Sequence, residues 1–313
     1  MEIQSIREIG IDKAVQLWNR CLNVDQINKK NFCTRIIYDV NFDPSKYLIA
    51  IVDGKPAGFV YAVLRRVPDE AAGLESGNAW IVAMGVDPIY RRKGTGGNLL
   101  SKIEDILAGK GIRRIEVGPY VSNYISPGVD RDAYNGGIAF LYKNGYSSES
   151  EACSMCMNLQ DYQTPEKYRI KKEELEKDGY VFRPYTPDDA IAFFDFLGRN
   201  FPSWLIDVRN SIIAGRGEDT LIGAYDKNGD VAGFVLRAMD GTPERFGPFG
   251  TKADHQGKGI GGILFHEMME NMVRSRIYFV YFLWGDGRNP GIYGTWGMKP
   301  YRYYDLLCKN IGR

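Results

Sequence analysis

The sequence predicts an α/β protein of two tandem domains, each a mixed sheet of six or seven strands flanked by helices. Three observations predict it. The chain has 313 residues, more than one hydrophobic core usually organises. A series of strands and helices in its first half recurs in the same order in its second. A short basic, glycine-rich turn joins strand to helix in both halves, as Arg91-Arg92-Lys93-Gly94-Thr95-Gly96-Gly97 and, 165 residues later, as Gln256-Gly257-Lys258-Gly259-Ile260-Gly261-Gly262.

The elements follow from apolar spacing. Residues 1–22 read as a strand leading into a helix, with Val15, Leu17, Trp18 and Leu22 on one stripe. Two apolar runs, 47–52 and 57–63, flank Asp53-Gly54 and read as a hairpin. A third strand, 79–86, feeds the first glycine turn; Leu99, Leu100, Ile103, Ile106 and Leu107 then recur at helical spacing, and 112–117 is the next strand. The second half repeats this with a strand at 180–185 and a helix opening at Pro187 and running through Phe193, Phe194 and Leu197. A hairpin follows at 220–225 and 231–236, then a strand at 245–250, the second glycine turn, a helix carrying Leu264, Met268 and Met272, and a strand at 277–284. The Lys- and Glu-rich stretch 161–178 is the expected linker, partly helical, between domains at 1–160 and 179–313.

Composition narrows the function. At 44% hydrophobic and 25% charged residues the chain can bury a sizeable core. Forty basic against thirty-nine acidic residues leave +1, too little field to draw nucleic acid or an anionic membrane. No apolar run approaches the roughly 20 residues a spanning helix needs, and residues 1–7 lack the order of a secretory signal, so the expected location is cytoplasmic. Five scattered cysteines (Cys21, Cys33, Cys153, Cys156, Cys308) suit a reducing compartment. Cys153 and Cys156 have CxxC spacing but no second pair to complete a zinc site, and His255 and His266 are the only histidines, so no metal is expected.

The repeated turn is where chemistry concentrates. Glycine lets the backbone approach a bulky anion, and a helix start points unpaired N–H groups and partial positive charge at it, which suits phosphate. Gly257-x-Gly259-x-x-Gly262 formally matches the dinucleotide fingerprint, but the acidic residue expected at the end of the next strand is absent from 277–284. A Walker A loop ends in Gly-Lys-Ser/Thr, whereas Lys93 and Lys258 precede their glycines.

The block resembles motif A of the GNAT superfamily, the acyl-CoA-dependent N-acetyltransferases, whose pattern Arg/Gln-x-x-Gly-x-Gly/Ala stands here as Arg91-x-x-Gly94-x-Gly96 and Gln256-x-x-Gly259-x-Gly261. The resemblance runs through most of both halves and implies two tandem GNAT acyl-CoA N-acyltransferase domains. It implies that the amides of each turn hold the pyrophosphate of acetyl-CoA, and that a splayed strand before each turn pairs with the pantetheine arm. By position those strand residues are Met84, Gly85 and Val86 in one half and Phe249, Gly250 and Thr251 in the other.

Transfer to an amine needs an acid for the leaving thiolate. In many members it is a tyrosine in a segment like Phe-Tyr-x-x-x-Gly-Phe, preceded by an asparagine that contacts the cofactor. Tyr293 stands four residues before Gly297, and Asn289 four before Tyr293, so both match. The first half has Leu141 and Gly137 at those places and Tyr142 one residue on, which on a helix turns the side chain about 100° away. The resemblance therefore favours the second half as catalytic. Glu244 stands where some members keep a base, but the reading favoured for it is a solvated surface glutamate, and deprotonation through water would need no base. The aromatic loop 118–130, with Tyr120 and Tyr124, is either an acceptor-recognition or lid element or a packing loop. The expected partner is a small-molecule or peptide amine, with a homodimer open. First-half catalysis and a non-catalytic acyl-CoA sensor remain the alternatives.

Overall fold

The computed structural model describes residues 1–120, 125–286 and 291–311, and two compact units interleave along it. The first takes Met1–Cys153, Asp286 and the stretch from Arg302 on; the second takes Ser154–Gly285 and the stretch up to Tyr301. The polar stretch 161–178 falls in the second unit and carries a 12-residue helix whose Leu175 is buried.

In the first unit the order is β1 (Glu2–Ser5), α1 (Ile11–Cys21), β2 (Tyr47–Val52), β3 (Lys55–Val63), β4 (Asn78–Val86), α2 (Thr95–Ala108), β5 (Arg114–Val117), β6 (Val129–Asp130), α3 (Asn135–Lys143) and the start of β7 (Ser147–Asn158). Strands β1 to β5 are neighbours in that order, all antiparallel except β4 with β5. The helix expected to follow β1 is interrupted at Gly10, whose φ of 82° ends a four-residue helical turn before α1 begins. Strands β3 and β4 are apolar at consecutive positions because both faces of the sheet are covered. Val60, Ala62, Ala79 and Ile81 pack with Leu99, Leu100, Ile103 and Leu107 of α2. Phe59, Tyr61, Val63 and Trp80 point the other way, to Leu17 and Trp18 of α1. The Trp18 and Phe59 rings stack at 5.2 Å. Each such burial stabilises by roughly 1.5–3 kcal/mol before entropy is counted.

The second unit carries α4 (Glu166–Lys177), β8 (Val181–Pro184), α5 (Ala190–Asn200), α6 (Pro202–Ile213), β9 (Leu221–Tyr225), β10 (Val231–Arg237), β11 (Phe246–Thr251), α7 (Ile260–Arg274), β12 (Phe279–Asp286), α8 (Gly291–Thr295) and the start of β13 (Lys299–Asn310). Four of its strands form an antiparallel sheet in the order β11-β10-β9-β8, and β12 pairs with β7. Phe193, Phe196 and Leu197 of α5 cover the four-stranded sheet through Leu221 and Phe234. A parallel bridge, Arg245↔Tyr281, ties β12 to the residue before β11.

From Arg302 onward β13 belongs to the first unit. It runs antiparallel to β5, with Leu307 opposite Val117 and Asn310 opposite Arg114, and Tyr304 faces Asp130 of β6. An unpaired β5 edge would leave a row of backbone donors and acceptors without partners; β13 supplies them, and Lys309 binds Glu104 of α2 at 2.7 Å.

Candidate active site

In the first unit β4 and β5 pair in parallel as far as Ile81↔Val117, and the Gly118 N–H still reaches the Ile81 carbonyl at 3.0 Å. At that level the β3–β4 register slips. Ala62 faces Ile81 and Tyr61 faces Ala83, so Val82 is one residue too many. Such a bulge bends its strand and strengthens the local twist. Met84, Gly85 and Val86 go on pairing with β3, while their other edge borders a cleft of about 750 Å³ lined also by Val117 and Gly118.

The first glycine turn forms one end of this cleft: Arg91, Arg92, Gly94, Thr95, Gly96 and Gly97 line it. Gly94, at φ 82°, caps α2, so the first-turn amides have no intrahelical acceptor. Several side chains of the turn serve the turn itself. Arg91 donates to the carbonyls of Val86 (2.8 Å) and Cys21 (3.4 Å), Lys93 to that of Ile89 (3.2 Å), and Thr95 to that of Tyr90 (3.3 Å). Main-chain N–H groups are thus what the turn offers an anion, joined by Arg92, whose own φ is +59°. A Cβ on Gly85 would lie 2.6 Å from that of Cys21, so α1 requires that glycine, whereas a Cβ on Gly97 would meet no protein atom within 4 Å.

The second turn has the same backbone, with Gly257 at φ 77° and Gly259 at φ 93°. Its surroundings differ. Helix α4 lies against the start of α7: a Cβ on Gly262 would come within 2.5 Å of the Tyr168 ring, and one on Gly259 within 3.1 Å of Lys171. Ile260 is buried. Lys258 donates to the Tyr180 hydroxyl (3.0 Å) and Gln256 to the Thr251 carbonyl (3.1 Å). Gly250 lies beneath the Phe201 ring, 2.6 Å from where its Cβ would be, and Gly261 faces Phe249 and Thr251 at 3.5 and 3.6 Å.

Tyr293, on α8, sits among aromatic rings: 4.5 Å from Phe282, 5.7 Å from Phe249, 5.8 Å from Trp296 and 6.3 Å from Phe246. Burial pushes its hydroxyl up to about 12. Phe249, one of the strand residues expected to flank a pantetheine arm here, belongs to this cluster. Asn289 lies outside the described residues. Glu244 is half-buried and uses its carbonyl to accept the Tyr281 N–H at 3.0 Å, closing the β12 bridge.

Elsewhere, Tyr120 is core, 1% exposed, accepting from Asn41 (2.8 Å) and donating to Asp39 (3.1 Å), so it offers no free recognition surface. Tyr124 lies outside the described residues. On α3, Leu141 lines the cleft and Tyr142 is 46% exposed, the rotation that helical geometry predicts. The cleft also gathers residues without a sequence signal: Cys21, whose thiol burial pushes up to about 12, and Asp25 and Tyr134. Among the described residues no three His, Cys, Asp or Glu side chains are grouped to hold a metal, and no helix is long and apolar enough to cross a membrane.

A bulged strand splaying from its parallel neighbour and ending in a glycine turn at a helix start defines an acyl-CoA N-acyltransferase fold. The acetyltransferase (GNAT) family model matches residues 5–129, which supply β4, the first glycine turn and much of the rest of this cleft's lining. The chain is similar to Acetyltransferase SG1711 of Sodalis glossinidius, 26% identical over 117 residues that make up 37% of this chain and 74% of that one. Among solved structures, the glucosamine N-acetyltransferase region of a fungal multi-domain GH3 β-N-acetylglucosaminidase superposes with a TM-score of 0.81 at 20% identity, covering 98% of this chain. The present chain spans only 38% of that fungal protein. A tandem GNAT protein from the clavulanic acid biosynthesis pathway superposes with a TM-score of 0.67 at 14% identity over 100% of this chain and 99% of its own.

Proposed function

We propose that the chain is an acetyl-CoA-dependent N-acetyltransferase whose working site is the cleft of the first unit, the second unit acting as scaffold. One observation carries this: the β4–β5 splay opens onto a cleft of about 750 Å³ ending at the first turn's amides, whereas Tyr293 and its neighbouring rings pack together beside β11. The residues suit the cofactor. The amides of residues 93–97 and the Arg92 guanidinium would hold the pyrophosphate, and the free edge of Met84–Val86 would pair with the pantetheine arm as an added strand. When bound, acetyl-CoA supplies the acetyl group: its C–S bond breaks as the amine's C–N bond forms, the electron pair leaves on sulfur, and the proton lost by nitrogen ends on that sulfur. The chain's part is to align the two reactants, an entropic gain of up to about 7–11 kcal/mol in well-oriented cases.

The fungal neighbour is described as a glucosamine N-acetyltransferase, so we take the amine of an amino sugar as the first acceptor to test. Acetyl-CoA turnover with glucosamine and a panel of primary amines examines the reading. Tyr293→Phe is expected to keep activity within about twofold, since no step is asked of that hydroxyl. Loss of product in Tyr293→Phe, with acetyl-CoA binding intact, would move the chemistry to the second unit.

A further inference from the structure

Beside the cleft, four side chains from three separate stretches of chain form one network. The Tyr134 hydroxyl lies 2.7 Å from Asp25 Oδ2. Arg302, on β13, donates from Nη1 to Asp25 Oδ1 (2.6 Å), from Nη2 to Asp25 Oδ2 (2.9 Å) and from Nε to Asp130 Oδ2 (2.6 Å). Asp130 Oδ1 accepts the N–H groups of Asp132 (2.9 Å) and Ala133 (2.8 Å), which fixes the backbone just before Tyr134. The Trp18 indole donates to the Asp25 carbonyl at 2.8 Å. Tyr134 and Asp25 both line the cleft.

The polarity of this network is decided by chemistry. An ionised carboxylate only accepts, and a phenol has one proton. Both Asp25 oxygens face a guanidinium, so the short contact with Tyr134 must be the phenol donating. Its proton is then committed, and the hydroxyl has only lone pairs left for the cleft. Burial, and then the neighbouring Asp25 charge, push its pKa up.

We propose that Tyr134 is an acceptor-side catalytic residue: its hydroxyl oxygen takes an N–H of the attacking amine and aims the nitrogen lone pair at the thioester, while Asp25 and Arg302 are positioning residues that hold the phenol in that polarity. The inference rests on the first-unit reading above. It assigns the substrate side of the cleft to a hydrogen-bond donor, a primary amine, and gives Tyr134 no part in protonating the leaving sulfur. It also makes the last strand of the chain a component of the site, because Arg302 arrives from 277 residues beyond Asp25.

The test uses the full-length protein, with glucosamine and the panel of primary amines as probes. Tyr134→Phe is expected to raise the KM for the amine about tenfold or more. Calorimetry should show weakened binding of the same amine to CoA-saturated protein, with acetyl-CoA affinity and the thermal midpoint little changed. Asp25→Asn is expected to do the same although the hydroxyl remains, because the new amide can donate to the phenol oxygen and turn its proton into the cleft. Arg302→Lys, which keeps charge but not the fork, should fall between wild type and Asp25→Asn. The proposal is overturned if Tyr134→Phe lowers kcat with the amine KM and amine affinity unchanged, the mark of a leaving-group acid, or if Asp25→Asn changes only the thermal midpoint. Absence of product with every amine would overturn the functional reading itself, and this assignment with it.

Discussion

Gly97 and Gly262 occupy equivalent places in the two turns for opposite physical reasons. Gly262 is small because the Tyr168 ring would lie 2.5 Å from a Cβ, whereas Gly97 faces open cleft. Gly97→Leu is therefore expected to weaken acetyl-CoA binding tenfold or more by calorimetry while leaving the thermal midpoint unchanged or raised, since glycine inside a helix costs about 1 kcal/mol relative to good helix formers. Gly262→Leu should instead lower the midpoint. His266 gives a second test at this scale. It is 2% exposed, contacts the Tyr162 hydroxyl through Nδ1, and burial pushes its pKa down to about 4. Its folded pKa lies below the unfolded value near 6.5, so the unfolded chain takes up the extra proton. The stability from neutral His266 is full above pH 6.5 and is lost as pH falls toward 4, by up to about 3 kcal/mol. Denaturant titrations of His266→Asn should show a flatter slope over that window; an unchanged slope would remove His266 as its cause.

Each glycine turn is aimed by the strand before it and the helix after it. In the first unit the Val82 bulge parts β4 from β5 at the level of Ile81, and α2 anchors the turn by burying Leu99, Leu100, Ile103 and Leu107. Ile103→Ala should cost about 2–5 kcal/mol in chemical denaturation, as a large-to-small change in a fully buried site. At this scale the sequence was informative. The α2 stripe, the two hairpins and both turns stand where apolar period and Asp-Gly or Asn-Gly signals put them. The bulge was not legible, because Trp80-Ile81-Val82-Ala83 is apolar throughout and shows no slip in register. Tyr293 shows the limit from the other side. Its spacing from Gly297 matches an active-site pattern, yet spacing cannot say whether the surrounding volume is open or filled by Phe249, Phe282 and Trp296.

At the scale of the molecule, the units do not follow the order of the chain. Residues 302–310 complete the sheet of the first unit through β5 and bring it Arg302 and Leu307. A fragment of residues 1–160, the first domain as its sequence delimits it, would expose the β5 edge and lose the partner of Asp25. It is expected to aggregate or to remain partly unfolded by circular dichroism and size-exclusion chromatography. A monomeric, cooperatively melting fragment would show that β13 is dispensable for folding.

The sequence by itself determined the repeated order of elements, the strand–turn–helix units and the glycine backbone of both turns, because these depend on local spacing and on glycine's small size. Only the tertiary structure decided that the first turn borders a cleft, where the last strand lies, and that Asp25, Tyr134 and Arg302 meet. Open volume and long-range pairing depend on residues distant in the chain, and no local pattern encodes them.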